Sequence, residues 1–215
     1  MLGMKRAPSE TQSRPPRPPR VRAVQSHEIR IIGGQYRRIK LQVADKLGLR
    51  PTPDRVRETL FNWLGQDLSG WRCLDAFAGT GVLGFEAASR GAAQVLLVEQ
   101  DAALVAQLKR VQTQLQADAV QVVRGDAVAA LRHAPAGSME LIFLDPPFDS
   151  DVFEAAVQAA APALAVTGFL YLEAPKRWSE SQLQAMGLQL HRHLKAGMVH
   201  AHLLKRIEAL AVPAG

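Results

Sequence analysis

Asp145-Pro146-Pro147-Phe148 is the stretch of this 215-residue chain whose residue types most clearly suit chemistry. Two consecutive prolines stiffen a loop and remove two backbone donors, leaving carbonyls able to accept. A carboxylate beside such a carbonyl can hold both hydrogens of an exocyclic amine and aim its nitrogen at an electrophilic carbon. An adjacent aromatic ring can stack on a base drawn out of its nucleic-acid context. Asp145, Pro146, Pro147 and Phe148 are therefore the candidate catalytic residues. The plain alternative is a rigid turn capping the next helix.

A second constellation lies upstream. Trp71 to Gly84 reads as a short apolar strand ending in Asp75, a turn carrying Gly79 and Gly81, and a helix opening at about Val82. Ligands of open α/β sheets sit beyond such strand ends, facing the amides and positive pole of the new helix. Gly79-x-Gly81-x-x-Gly84 also fits a dinucleotide fingerprint, with Glu99 near the spacing of a ribose-binding acid. Asp75 argues for a different ligand: it would repel a pyrophosphate but accept from an ammonium group, as S-adenosylmethionine carries. Glu99 can take both ribose hydroxyls, Asp126 an adenine amine and the Ala127 amide a ring nitrogen. Four acids in succession at predicted strand ends exceed what solvation explains.

The elements that must position these groups alternate. Strands are expected at about 72–76, 94–99, 120–123, 140–144 and 168–173, separated by helices at about 81–90, from Asp101, after Asp126, and at 151–165. After a helix near 179–186, residues 187–195 and 198–207 read as a closing hairpin. The pattern predicts an α/β fold, a mainly parallel sheet with helices on both faces. Upstream, Ile29 to Ile32 and Gln35 to Val43 read as a β-hairpin turning at Gly33-Gly34. In its second arm Arg37, Ile39, Leu41 and Val43 share one face, Arg38 and Lys40 the other. Thr52 is the expected N-cap of a helix whose apolar stripe is Val56, Leu60, Phe61 and Leu64, with Arg55, Arg57 and Glu58 off it.

Charge is uneven. Of 26 Lys/Arg and 20 Asp/Glu, 14 and 4 lie in residues 1–57. This basic front suits a polyanion, with Arg30, Arg37, Arg38 and Lys40 as candidate phosphate contacts; a charged edge that blocks sheet pairing is the alternative. Residues 1–25, rich in proline and arginine, read as a disordered basic arm, 26–48 as the hairpin extension, and 49–215 as the main domain. Cys73 alone excludes an internal disulfide and fits a reducing cytoplasm. No apolar run is long enough to cross a membrane, and no secretory signal is expected. His191, His193, His200 and His202 sit in pairs two apart, each pair expected on one side. No acid or cysteine completes a metal set, so a solvated sheet face is expected and no metal site.

Ile29 to Gly34, Leu49 to Thr52, Asp54 to Leu64, Leu74 to Gly81 and Asp145 to Phe148 together carry a resemblance. The chain resembles class I S-adenosylmethionine-dependent methyltransferases, and within them the RsmD-type 16S rRNA (guanine-N2)-methyltransferases, from about residue 28 onward. The resemblance implies a Rossmann-like, seven-stranded, mostly parallel sheet with an N-terminal hairpin. It implies methylation of a guanine amine in 16S rRNA of the small ribosomal subunit, on a substrate already assembled with ribosomal proteins; a cytoplasmic location and a monomer are expected. Asp75, Phe77, Gly79, Thr80 and Gly81 would cradle the methionine part of the cofactor, and Glu99, Asp126 and Ala127 the nucleoside. The Asp145 loop would present the target amine. The segment around Arg50 and Thr52 would close over the site, with Arg50 joining the hairpin in gripping RNA. Rival readings are an adenine-N6 DNA methyltransferase, a nicotinamide dehydrogenase, and a noncatalytic RNA-binding assembly factor.

Overall fold

The computed structural model describes residues 27–43 and 52–207; the proline-rich arm and Arg50 lie outside the described residues. The chain order is β1 (His27–Arg30), β2 (Lys40–Val43), α1 (Asp54–Leu64), β3 (Arg72–Asp75), α2 (Val82–Ser89), β4 (Gln94–Glu99), α3 (Ala102–Leu115) and β5 (Val120–Arg124). There follow α4 (Ala127–His133), β6 (Met139–Leu144), α5 (Phe153–Ala163), β7 (Leu164–Ala174), α6 (Glu180–Ala185), β8 (Leu188–Ala196) and β9 (Val199–Arg206). Seven strands form one sheet in the order β5-β4-β3-β6-β7-β9-β8. The pairs from β5 to β7 are parallel, and β9 runs antiparallel to both neighbours. The predicted α/β sheet is thus present, and chain order reverses between β3 and β6. That switch point puts Asp75 and Asp145 on neighbouring strand ends.

Each sheet face buries one core. Ile29, Ile31, Leu41, Leu60, Phe61, Phe85, Leu108 and Val111 pack on one face, bringing β1, β2, α1, α2 and α3 together. Leu131, Ala156, Val157, Ala160 and Leu183 pack on the other, from α4, α5 and α6. Cys73 is a buried packing residue of β3.

The N-terminal hairpin differs from its sequence reading. Its arms pair only over His27–Arg30 and Lys40–Val43, while residues 35–38 are turn, so Arg37 and Arg38 do not lie in a strand. Gly33-Gly34 is not the reversal point because docking on α2 claims it. The Ile32 and Gly33 amides donate to the Glu86 carboxylate at 2.9 and 2.8 Å. Gly34, with φ of 71°, lies so close to α2 that a Cβ there would collide with the Ser89 carbonyl.

Glu86 anchors a buried ionic network. It pairs with Arg57 at 3.4 Å and with Arg90 at 2.7 Å. Arg57 is fully buried although its spacing sets it off the apolar stripe of α1. Its guanidinium donates to the Arg30 carbonyl at 3.0 Å, the Thr52 carbonyl at 3.2 Å and Asp54 at 2.7 Å. Burial works against its charge, and Glu86 and Asp54 hold it. Removing one member of such a set strands the others without solvent. Glu86→Ala is therefore expected to cost about 3–5 kcal/mol in denaturant unfolding; a loss below about 1 kcal/mol would show that the network is dispensable.

Candidate active site at the strand ends

Asp75 closes β3 and is buried. Its Oδ2 accepts from the Gly84 amide at 3.2 Å, while Oδ1 is buried with no hydrogen-bond partner. Burial, with the nearby charge of Glu99, pushes its carboxyl up to about 7. The turn after it folds back on the sheet through Ala78 N–H to the Val98 carbonyl, 3.0 Å. Gly79 and Gly81 both take positive φ, 50° and 75°. The Thr80 hydroxyl accepts from the Val82 amide at 3.3 Å, serving the first turn of α2.

Glu99, at the end of β4, is fixed at both oxygens. Gly79 N–H donates to Oε2 at 2.9 Å and Asp101 N–H to Oε1 at 2.8 Å. Its remaining lone pairs can still accept from a diol. Asp126 caps α4 through the Ala129 amide at 2.8 Å and is otherwise exposed, with Ala127 buried behind it. Phe77 is half-buried over the second core.

Asp145 follows β6, beside Asp75 and Glu173. Burial and those two charges raise its carboxyl well above the ordinary range. Pro146 is buried, while Pro147 and Phe148 are exposed. The two proline carbonyls are not equivalent: Pro147 O accepts from the Ser150 amide and hydroxyl at 3.1 and 2.6 Å. Among the described residues nothing bonds the Pro146 carbonyl, so that oxygen is the one available beside Asp145. Phe148 stands at the rim, its ring 6.4 Å from that of Phe153.

Sequence spacing missed two members of this site. Thr52 does not cap α1: Pro53 occupies the cap position without a side-chain bond, and the buried Thr52 side chain stands instead beside Asp145 and Glu173. Glu173, 3% exposed in β7, accepts from the Tyr171 hydroxyl at 2.8 Å. The strand-end pattern that singled out Asp75, Glu99, Asp126 and Asp145 extends to it one strand further.

The basic hairpin residues divide. Arg30 pairs with Asp54 and Lys40 with Glu28, all partly exposed. Arg37 and Arg38 are exposed on the turn and form no ion pair among the described residues.

The histidines also differ from expectation. A β-bulge between Leu190 and Arg192 sends His191 to Phe169, 5.6 Å away. His193 instead joins His200 and His202 at 5.2 and 5.0 Å, so His191 and His193 do not share a side. His202 is not solvated but fully buried. It accepts from Trp178 N–H at 3.2 Å and lies 3.3 Å from the Leu172 carbonyl; burial pushes it down to about 4. Among the described residues no group of three or more His, Cys, Asp or Glu is arranged to hold a metal. No described helix is long and apolar enough to cross a membrane.

A family model described as Conserved hypothetical protein 95 matches residues 29–205. The chain belongs to this family. Ribosomal RNA small subunit methyltransferase D of Escherichia coli is 41% identical over 193 residues, which is 84% of this chain and 91% of that protein. The protein of the same name from Haemophilus influenzae is 36% identical over 178 residues, 77% of this chain and 92% of the relative. The solved structure of a putative methyltransferase from Escherichia coli superposes with a TM-score of 0.72 at 39% identity, covering 84% of this chain and 98% of its own. By family and fold the chain is a class I methyltransferase.

An orphaned, buried Asp75 oxygen facing the turn fits a ligand that brings an ammonium group. The raised Asp75 value also carries a sign. Its folded value of about 7 exceeds the ordinary 3.8, so its stabilising contribution is complete below the unfolded value and is lost as pH rises through about 7. Without ligand, the melting temperature of the wild type relative to Asp75→Asn should therefore fall from about pH 5 to about pH 8. Parallel pH profiles for the two proteins would contradict this burial effect.

Proposed function

We propose that the protein transfers a methyl group from S-adenosylmethionine to the N2 amine of a guanine in 16S rRNA of the small ribosomal subunit or its assembly intermediate, acting in the cytoplasm as a monomer. The observation that carries this reading is the Asp145 carboxyl beside the Pro146 carbonyl, next to an Asp75 oxygen that lacks a partner. The names of the relatives support the rRNA substrate.

S-adenosylmethionine, when bound, supplies a methyl group on a sulfonium that is already a good leaving group. The protein's part is then alignment and charge placement more than acid–base force. Asp75 Oδ1 would accept from the cofactor's ammonium group, and the Phe77 to Gly81 turn with the first amides of α2 would meet its carboxylate. Glu99 would accept from the ribose hydroxyls, and Asp126 with the Ala127 amide would meet the adenine. Asp145 and the Pro146 carbonyl would hold the two hydrogens of the target amine, directing its lone pair across the cleft. Phe148 would stack on the base at the rim. Arg37 and Arg38, with Arg30, Lys40 and Arg50, would contact backbone phosphates. The hairpin of residues 26–48 would thus be an RNA-binding extension of the domain at 49–215.

Small subunits from cells lacking this gene, incubated with the protein and labelled cofactor, should yield N2-methylguanosine at one site. Label recovered as N6-methyladenine in DNA would replace the substrate and keep the chemistry. Asp145→Ala should bind cofactor within about threefold of wild type and lose transfer by about a thousandfold; normal turnover would remove the loop from the mechanism. Replacing Arg37 and Arg38 with alanine should raise KM for RNA and reduce the salt dependence of binding by about one unit of slope per residue. An unchanged slope would free the turn of any phosphate role.

A further inference from the structure

The turn carrying Arg37 and Arg38 docks on Ser89, the last residue of α2. Gln35 N–H donates to the Ser89 carbonyl at 2.7 Å and Tyr36 N–H to its hydroxyl at 2.8 Å. The opposite end of α2, about 10 Å away, is the one that faces Asp75. A second basic surface stands at the strand ends themselves. Residues 174–206 hold six Lys/Arg and a single acid, Glu180. Lys176 and Arg177 are exposed in the segment after β7, and Lys195 is exposed near the end of β8. None of the three forms an ion pair among the described residues.

Cross-strand register places two histidines with these cations. Lys195 lies opposite His200, and His193 opposite His202, so the four share one face. His193 Nε2 and His200 Nδ1 are 3.0 Å apart and share one hydrogen. A neutral pair bonded this way presents one further N–H outward, whichever ring donates. Beneath them the buried His202 accepts from Trp178 N–H at 3.2 Å, which fastens the Lys176–Arg177 segment to β9. Leu144, just before Asp145, aligns with Leu172 of β7, and Leu172 with His202. The histidines therefore stand two to three inter-strand spacings from Asp145, about 10–15 Å along the sheet. They lie on the side of Phe148, whose ring leans on Phe153, packed against the same core as Trp178. Among the described residues at this end of β8 and β9, only Met198 is a large apolar side chain left exposed. The surface thus offers cations and ring N–H donors rather than the apolar anchors of a protein interface.

We propose that Lys176, Arg177, Lys195, His193 and His200 form a phosphate-binding surface that holds the RNA strand beside the target nucleotide. It rests on the RNA reading above and adds a second grip, on the sheet face opposite the N-terminal hairpin. The histidines give the surface a pH signature. The charged groups facing them are Arg177 and Lys195, with His202 alongside and no acid among them. Partial burial and these cations hold both rings below the ordinary histidine value, so both are neutral near pH 7. A bound phosphate favours the charged form, so binding takes up protons and tightens as pH falls.

Two sets of variants of the full chain test this, with a single-stranded RNA oligonucleotide and with small subunits from cells lacking the gene. Replacing Lys176, Arg177 and Lys195 together with alanine should reduce the salt slope of oligonucleotide binding by about one unit per residue. It should also raise KM for small subunits about tenfold, with cofactor affinity as in the wild type. His193→Gln with His200→Gln should remove most of the gain in RNA affinity that the wild type shows from about pH 8 to about pH 6. An unchanged slope and KM in the alanine variant overturns the surface, and a pH gain that persists in the glutamine variant overturns the histidines' part in it. Weaker binding to small subunits with oligonucleotide binding intact would mark a contact to ribosomal protein and overturn the RNA assignment. Loss of oligonucleotide binding as expected, in a protein that methylates no RNA, would uphold the surface and overturn the methyl-transfer reading.

Discussion

The pairing of Arg57 with Glu86, both fully buried, is the constraint on which the geometry of this protein depends. A guanidinium offers five donors in a fixed fork, and here they are spent on three separate pieces of chain. Arg57 reaches the Arg30 carbonyl in the hairpin, the Thr52 carbonyl before α1, and Asp54 within the first turn of α1. Glu86 answers from α2 and adds the Ile32 and Gly33 amides. Buried ion pairs are weak stabilisers relative to well-packed apolar groups. Their directional bonds serve better as a register, and this one fixes where the hairpin, Thr52 and the cofactor-side helix stand with respect to one another.

The strand ends follow an opposite logic. Asp75, Asp145 and Glu173 are gathered without a cation among the described groups that face them, and burial raises all three. A site like this is unfavourable in itself and favours ligands that bring positive charge or hydrogen-bond donors. An ammonium, a sulfonium and an exocyclic amine are such groups. Stability and function therefore divide across the sheet. The apolar interiors of β3, β6 and β7 hold the fold, and their carboxyl ends carry an electrostatic deficit that binding of such a group would relieve.

How much of this was legible in the sequence can be argued residue by residue. The β–α alternation, the strand Gln94–Glu99 and the apolar side of α3 followed from periodicity, since local pattern and tertiary burial agree there. Asp101, Asp126 and Ser179 do act as helix caps. Thr52 has the same local chemistry and does not, because its buried side chain faces Asp145 and Glu173 from distant strands. Gly33-Gly34 has the composition of a hairpin turn, but a distant carboxylate and the backbone of α2 claim it. Arg57 carries no local sign of burial, because the Arg30 carbonyl and Glu86 that hold it inside lie 27 and 29 residues away. In each case a long-range polar partner overrode a local preference, and single-sequence patterns do not reveal such partners.

The same register bears on how an RNA substrate would meet the cleft. Arg37 and Arg38 project from a turn whose base is closed by Ile31 and Ile39, with bonds of 2.9 Å from Ile31 N–H to the Ile39 carbonyl and 2.8 Å from Arg38 N–H to the Ile31 carbonyl. One residue before Ile31, the Arg30 carbonyl is bonded to the guanidinium that also holds the Thr52 carbonyl. The basic turn and Thr52 are thus tied to one buried group over short, well-bonded segments. Ordering two surfaces against each other only on binding would cost affinity and alignment. Here that ordering is completed on folding, so under the proposed function phosphate contacts at the turn would go towards placing the target base at Phe148 and Asp145.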